Sequence, residues 1–184
     1  MDSPVQLVTP LKTEDLEGLR IGDQVMLNGI VYSARDAAHQ RLIELLNKNE
    51  SLPFDLKGQV IYYVGPSPAK SGKPIGAAGP TSSYRMDSYT PLLLEKGLKG
   101  MIGKGARNQR VREAMQKYKA VYFAAIGGAG ALIARSIVSS EIVAYPELGT
   151  EAIRKMEVKD FYAIVANDIH GGDLYDSGVK TYRR

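Results

Sequence analysis

Residues 79–89 read Gly79-Pro80-Thr81-Ser82-Ser83-Tyr84-Arg85-Met86-Asp87-Ser88-Tyr89. Hydroxyls at Thr81, Ser82 and Ser83 stand within four residues of the Arg85 guanidinium. The run from Ile75 to Ala78 ahead of it is apolar and Gly-rich, and Pro91-Leu92-Leu93-Leu94-Glu95-Lys96 after it has the composition of a helix. A Gly-Pro turn leading from a strand into a helix leaves backbone N–H groups free, and a helix N-terminus favours an anion. Arginine adds a planar fork that grips a carboxylate through two parallel hydrogen bonds, which lysine cannot do. The stretch reads as a carboxylate or phosphate site; the alternative is a capped helix start carrying a surface arginine.

Two further cations stand where chemistry is possible. Ala38, Leu42, Leu45 and Leu46 recur at helical spacing, with Ser33 as the N-cap. Arg35 then falls in the first turn, the wrong end for a cation beside the helix dipole, and such local conflicts mark functional positions. His39, one turn later, reads as a packing residue. Lys104 lies between Gly103 and Gly105 at the exit of a short strand beginning at Gly100. Ligands in open α/β sheets gather at strand ends, within reach of such an ammonium; the alternative is a surface lysine in a glycine turn. Other glycine signals fail. Pro74 follows Gly72-Lys73 where a phosphate loop needs Ser or Thr, and Ile133 stands where a dinucleotide fingerprint after Gly128 and Gly130 needs a third glycine. Those glycines instead suit close backbone approach. The turn from His170 to Asp176 reads as a solvated loop.

The elements that must hold these groups follow from patterning. A helical turn near Thr13 precedes two strands joined as a hairpin at Asn28-Gly29. A strand runs from Gly58 towards Pro66, and a helix from Asn108 to Tyr118 places Val111, Ala114, Met115 and Tyr118 on one face. A strand over 120–126 enters a Gly-rich turn, a helix follows over 131–138, and a strand follows over 141–145. Strands alternating with helices from Val31 onward argue an α/β domain with a largely parallel sheet over its middle. The 184 residues suffice for one domain, 1–184, with a substantial core.

Composition narrows the function classes. Hydrophobic content of 44% and charged content of 24% are ordinary for a globular protein. The net charge of +4 is mild, and the basic run from Lys99 to Arg112 lacks aromatic interleaving, so it reads as a solvated face and not as a nucleic-acid platform. No apolar run is long enough for a membrane span, and Met1-Asp2-Ser3-Pro4 does not open a secretory signal, so a cytoplasmic address is expected. With no cysteine, these residues supply no disulfide framework, thiol nucleophile or cysteine-ligated cluster. Two histidines make a zinc site unexpected, and no metal site is expected on this chain.

The pattern Gly79-Pro80-Thr81-x-x-x-Arg85-Met86-Asp87-x-Tyr89 resembles the signature of the C-terminal, or β, part of the iron–sulfur hydro-lyases, the family of class I fumarases and L(+)-tartrate dehydratases. Tyr32-x-x-Arg35-Asp36-x-Ala38-His39, Lys104-Gly105, Ile126-Gly127-Gly128 and Tyr145-Pro146-Glu147-Leu148-Gly149 extend the resemblance from about residue 31 to about residue 168. It implies a swivelling β/β/α domain and reversible addition of water across a dicarboxylate: fumarate to L-malate, or dehydration of tartrate to oxaloacetate. It implies substrate contacts from Arg35, Thr81, Arg85 and Lys104, with Thr81, Arg85 and Lys104 in the catalytic set. Ser82, with Ser83, is a further candidate for a hydrogen bond to substrate by its residue type, the stronger alternative being a cap or turn residue. The resemblance also implies a [4Fe–4S] cluster, and the missing cysteines assign it to a separate α subunit, in an expected α2β2 hetero-oligomer. The spacing from Arg85 to Lys104 is slightly shorter than in single-chain fumarases, which leaves the reach of Lys104 open. A non-catalytic anion-binding module is the rival class, and the retained Thr81, Arg85 and Lys104 argue against it.

Overall fold

Alternate residues of the central strands enter different apolar layers. Val60, Tyr62, Ile102, Val121 and Phe123 lie in one buried cluster, and Ile61, Tyr63, Met101 and Tyr122 in another. Successive side chains on a strand point to opposite faces, so strands apolar on both must be covered on both. The computed structural model describes residues 3–183. Its elements are β1 (Val5–Val8), α1 (Thr13–Glu17), β2 (Gln24–Ser33), α2 (Asp36–Asn47), β3 (Val60–Tyr62), α3 (Thr90–Glu95), β4 (Gly100–Gly103), α4 (Gln109–Tyr118), β5 (Val121–Ala124), α5 (Gly130–Ile133), β6 (Ile137–Ala144), β7 (Ile153–Asn167) and α6 (Leu174–Tyr182). Turns of 3-10 helix occupy Ser83–Met86, Ala134–Ser136 and Pro146–Glu151.

Strands β1 to β5 lie side by side and parallel, through registers such as Tyr32 with Ile61, Ile61 with Met101 and Ile102 with Phe123. β7 runs antiparallel to both β5 and β2, so β2-β3-β4-β5-β7 closes on itself like a barrel. β1 extends the sheet beside the first half of β2, and β6 pairs with β7. One cluster joins Leu27, Val31, Phe123, Phe161 and Val165. The other packs the opposite strand faces against Ala38 and Leu42 of α2, Leu93 and Leu94 of α3, and Val111 and Met115 of α4. The expected parallel middle is present, and β6 and β7 make the sheet mixed. Among the described residues, no helix is long and apolar enough to cross a membrane.

Several local expectations are corrected. Asn28-Gly29 is not a hairpin turn; β2 passes through it as one strand with an irregularity opposite β7. Gly29 has φ +102° there, and a Cβ would lie 2.7 Å from Thr9 Oγ1, so glycine serves a bulge against a neighbouring segment. Ser33 is not the cap of α2. It ends β2, where its hydroxyl donates to Ala152 O (3.2 Å) and accepts from Arg154 N (3.0 Å), leaving Arg35 as the N-cap residue. Residues 75–78 form no strand. The helix expected over 131–138 is one turn, α5, followed by 3-10 helix, because the β-branched end at Ile137 pairs with Val158 of β7. Residues Ile153–Asn167 form one continuous strand, β7.

Candidate active site

Lys104 leaves the C-terminal end of β4, as its glycine-flanked position suggests. Just past β3, the Tyr63 carbonyl accepts the Thr81 N–H at 2.7 Å. Lys104 N–H donates to Thr81 O (3.2 Å), and Ser83 N–H donates to Lys104 O (2.9 Å), so residues 81–83 run beside the end of β4 as a short parallel bridge. The Lys104 ammonium donates to Ser82 Oγ at 3.0 Å. Thr81, Ser82 and Lys104 are thus brought together at adjoining strand ends, and the shorter spacing still lets Lys104 reach the hydroxyl segment.

Arg85 follows within the turn Ser83–Met86, its Nε 3.4 Å from Asp36 Oδ1. Arg35 Nη2 lies 3.6 Å from Asp36 Oδ2 and 3.4 Å from Glu151 Oε1. Asp36 therefore stands between two guanidiniums, and residues 81–85 span from the Lys104 group to the arginine pair. The other Glu151 oxygen accepts the Ala37 N–H at 2.9 Å, in the first turn of α2. That anion offsets the unfavourable placement of a cation at a helix start. Arg35 Nε is buried and has no hydrogen-bond partner, a donor that calls for an acceptor.

The motif leads directly into α3, which begins at Thr90 with Tyr89 as its N-cap residue. Thr81, Ser82 and Arg85 precede that start, so hydroxyls and cations, and not the N-terminus of α3, make the site. Ser83 turns inward, fully buried, its Oγ 2.8 Å from Tyr122 OH. His39 is buried too, with Nδ1 2.8 Å from Arg35 O and its ring edge-on to Tyr63 at 5.3 Å. Nδ1 therefore carries the hydrogen, and Nε2 has no partner. Burial pushes the His39 pKa down to about 4, against the raising effect of the Arg35 carbonyl. The Gly-rich turn after β5 packs against the motif: Ala78 N–H donates to Gly130 O at 3.0 Å, and a Cβ on Gly130 would stand 2.9 Å from Gly79 N.

Sequence reasoning missed Asp36 and Glu151 as partners of the arginines, and it missed Arg107. The Arg107 side chain is fully buried within the run read as a solvated face. Its Nε pairs with Asp87 Oδ1 at 2.7 Å, Nη2 donates to Thr90 Oγ1 at 2.8 Å, and Nη1 to Tyr63 OH at 3.3 Å. Asp87, inside the motif, was the available signal, since a buried carboxylate demands a cation or several donors. The candidate residues sit on an open face, with Arg85 and Lys104 exposed. Grooves of about 370 and 720 Å³ are lined instead by residues such as Ile126, Leu132 and Phe161, and Pro68, Ile75 and Arg135.

Chemically, three cations and two hydroxyls suit a small molecule bearing carboxylates. The residues do not fit an iron–sulfur cluster: the chain has no cysteine, and among the described residues no group of three or more His, Cys, Asp or Glu could hold a metal ion.

Residues 2–178 match the family model described as fumarase C-terminus. The chain is 41% identical over 179 residues to the anaerobic class I fumarate hydratase of Escherichia coli K12, covering 95% of this chain and 33% of that protein. It is 40% identical over 164 residues to fumarate hydratase 2 of Leishmania major, covering 88% of this chain and 29% of that one. The chain thus spans about a third of the length of these fumarate hydratases. The L(+)-tartrate dehydratase subunit beta of E. coli K12 is 35% identical over 181 residues, covering 96% of this chain and 89% of that subunit. With a match across nearly its whole length, the chain belongs to the fumarase C-terminus family.

Proposed function

We propose that this chain is the β subunit of a two-subunit class I fumarate hydratase, interconverting fumarate and L-malate with a separate α subunit that carries a [4Fe–4S] cluster. What supports the reading is that Asp36 lies beside both Arg35 and Arg85, and that the segment carrying Arg85 also carries Thr81 and Ser82, which meet Lys104 at adjoining strand ends. The two arginines hold one substrate carboxylate, with Asp36 and Glu151 keeping their guanidiniums apart and oriented. Loss of a proton from the carbon beside a carboxylate pushes negative charge onto that carboxylate, and fixed cations already in place stabilise it without reorganisation. Thr81 takes or relays the proton; its segment is bridged through the backbone to Lys104, whose ammonium donates to the neighbouring Ser82 hydroxyl. The open face leaves a surface for the α subunit to cover. A swivelling closure between the two chains would exclude bulk water, and solution scattering with and without a dicarboxylate tests it by compaction.

A second reading, dehydration of L(+)-tartrate, is favoured by the relative of similar length, which is named as a tartrate dehydratase beta subunit. Anaerobic co-expression with the α subunit, followed by parallel assays on fumarate, L-malate and L(+)-tartrate, decides between them. Fumarate turnover is expected; turnover of tartrate alone moves the chain to the second reading, and turnover of neither by a loaded complex rejects both.

A further inference from the structure

Arg107 cannot touch a ligand on the open face, because its side chain is wholly buried. A buried ion pair is weak evidence for stability, since apolar residues of similar volume often serve equally well. Its contacts point to another role. Asp87, its ion-pair partner, lies two residues beyond Arg85 and accepts the N–H of Asn108, the cap of α4, at 2.8 Å. The guanidinium lies 5.3 Å from the Tyr63 ring centre and 5.1 Å from that of Tyr122. Tyr63 holds the Thr81 N–H through its carbonyl, and its ring packs on His39, which in turn bonds the Arg35 carbonyl. Tyr122 OH donates to Gly105 O at 2.9 Å and receives the Ser83 hydroxyl at 2.8 Å, bracketing Lys104. Burial raises the Tyr122 pKa, so this hydroxyl keeps its proton.

We propose that Arg107, through Asp87, Tyr63 and Tyr122, is the positioning residue that fixes Thr81, Arg85 and Lys104 in the geometry that receives the dicarboxylate. This rests on the reading above for the identity of the ligand, and on contacts alone for the positioning. Only a planar fork reaches Asp87, Thr90 and Tyr63 together, so lysine at 107 keeps the charge and loses the arrangement.

The test compares Arg107→Lys, Ser83→Ala and Arg112→Met in the full chain. Arg112, in the first turn of α4, pairs with Asp173 and Asp176 at the start of α6 and makes no contact with Asp87, Tyr63 or Tyr122, so it serves as a control for general destabilisation. Hydrogen exchange read by NMR at the Ser83 and Lys104 amides is expected to quicken at least tenfold in Arg107→Lys, with β2 and β7 amides unchanged. In the two-chain complex, kcat/KM is expected to fall at least thirtyfold, while Arg112→Met stays within twofold. Ser83→Ala, which removes one link and no buried charge, is expected to quicken exchange at Lys104 if Arg107→Lys does not fold. Unchanged exchange at Ser83 and Lys104 in the folded variant overturns the proposal, as does a loss of turnover no greater than the loss of folded protein. A wild-type complex inactive on every dicarboxylate would reject the assigned reaction, and the exchange arm would still decide the positioning role.

Discussion

Replacing His39 by asparagine should remove most of the acid sensitivity of folding between pH 7.5 and pH 5. The ring is buried, Nδ1–H is committed to the Arg35 carbonyl, and Nε2 faces no acceptor. A second proton on Nε2 would be a buried charge with no partner, which is why burial holds the pKa at about 4 against an ordinary 6.5. The unfolded chain therefore binds more protons than the folded one between these values. Stability is full above pH 6.5 and is lost as the pH falls through the window towards 4. Linkage sets the loss attributable to His39 at about 2 kcal/mol by pH 5 and about 3 kcal/mol below pH 4. Asparagine retains a donor near the Nδ1 position and cannot be protonated. Urea unfolding at pH 7.5 and pH 5 should show the wild type losing about 2 kcal/mol more than His39→Asn over that interval. Equal losses in the two proteins would refute the reasoning.

Leu93→Ala should cost about 2 to 5 kcal/mol in urea unfolding, since Leu93 is fully buried where α3 packs on the sheet and leaves a cavity when shortened. Asn108→Ala should cost about 1 kcal/mol, because the side chain accepts the Val111 N–H at 2.9 Å as the cap of α4; an unchanged urea midpoint would show that the cap contributes nothing.

Periodicity disclosed the elements whose partners are regular. The apolar face of α4 and the parallel middle of the sheet follow from spacing alone, and Lys104 at its strand end followed from the flanking glycines. What stayed hidden depends on residues far apart in the chain. Ser33 has a capping residue's chemistry, and only β7, some 120 residues on, converts its hydroxyl into a strand-end bridge to Ala152 and Arg154. Asn28-Gly29 matches a hairpin signal, yet the glycine answers Thr9, which no local window contains. Arg107 looked solvated because arginines usually are; its burial is set by Asp87, Tyr63 and Tyr122, which meet only in the folded sheet. The five candidate residues were visible through the motif and its resemblance, and their carboxylate partners Asp36 and Glu151 were not.

The central claim is that this face is half of a dicarboxylate site, completed by a second chain. Purified separately under anaerobic conditions and then mixed, this chain and the cluster-bearing α subunit should hydrate fumarate only together. Arg85→Ala should bind the α subunit unchanged while losing turnover by about one to two orders of magnitude, the scale of a lost charge-assisted hydrogen bond to a carboxylate. Full turnover by the α subunit alone, or by the complex carrying Arg85→Ala, would contradict the account.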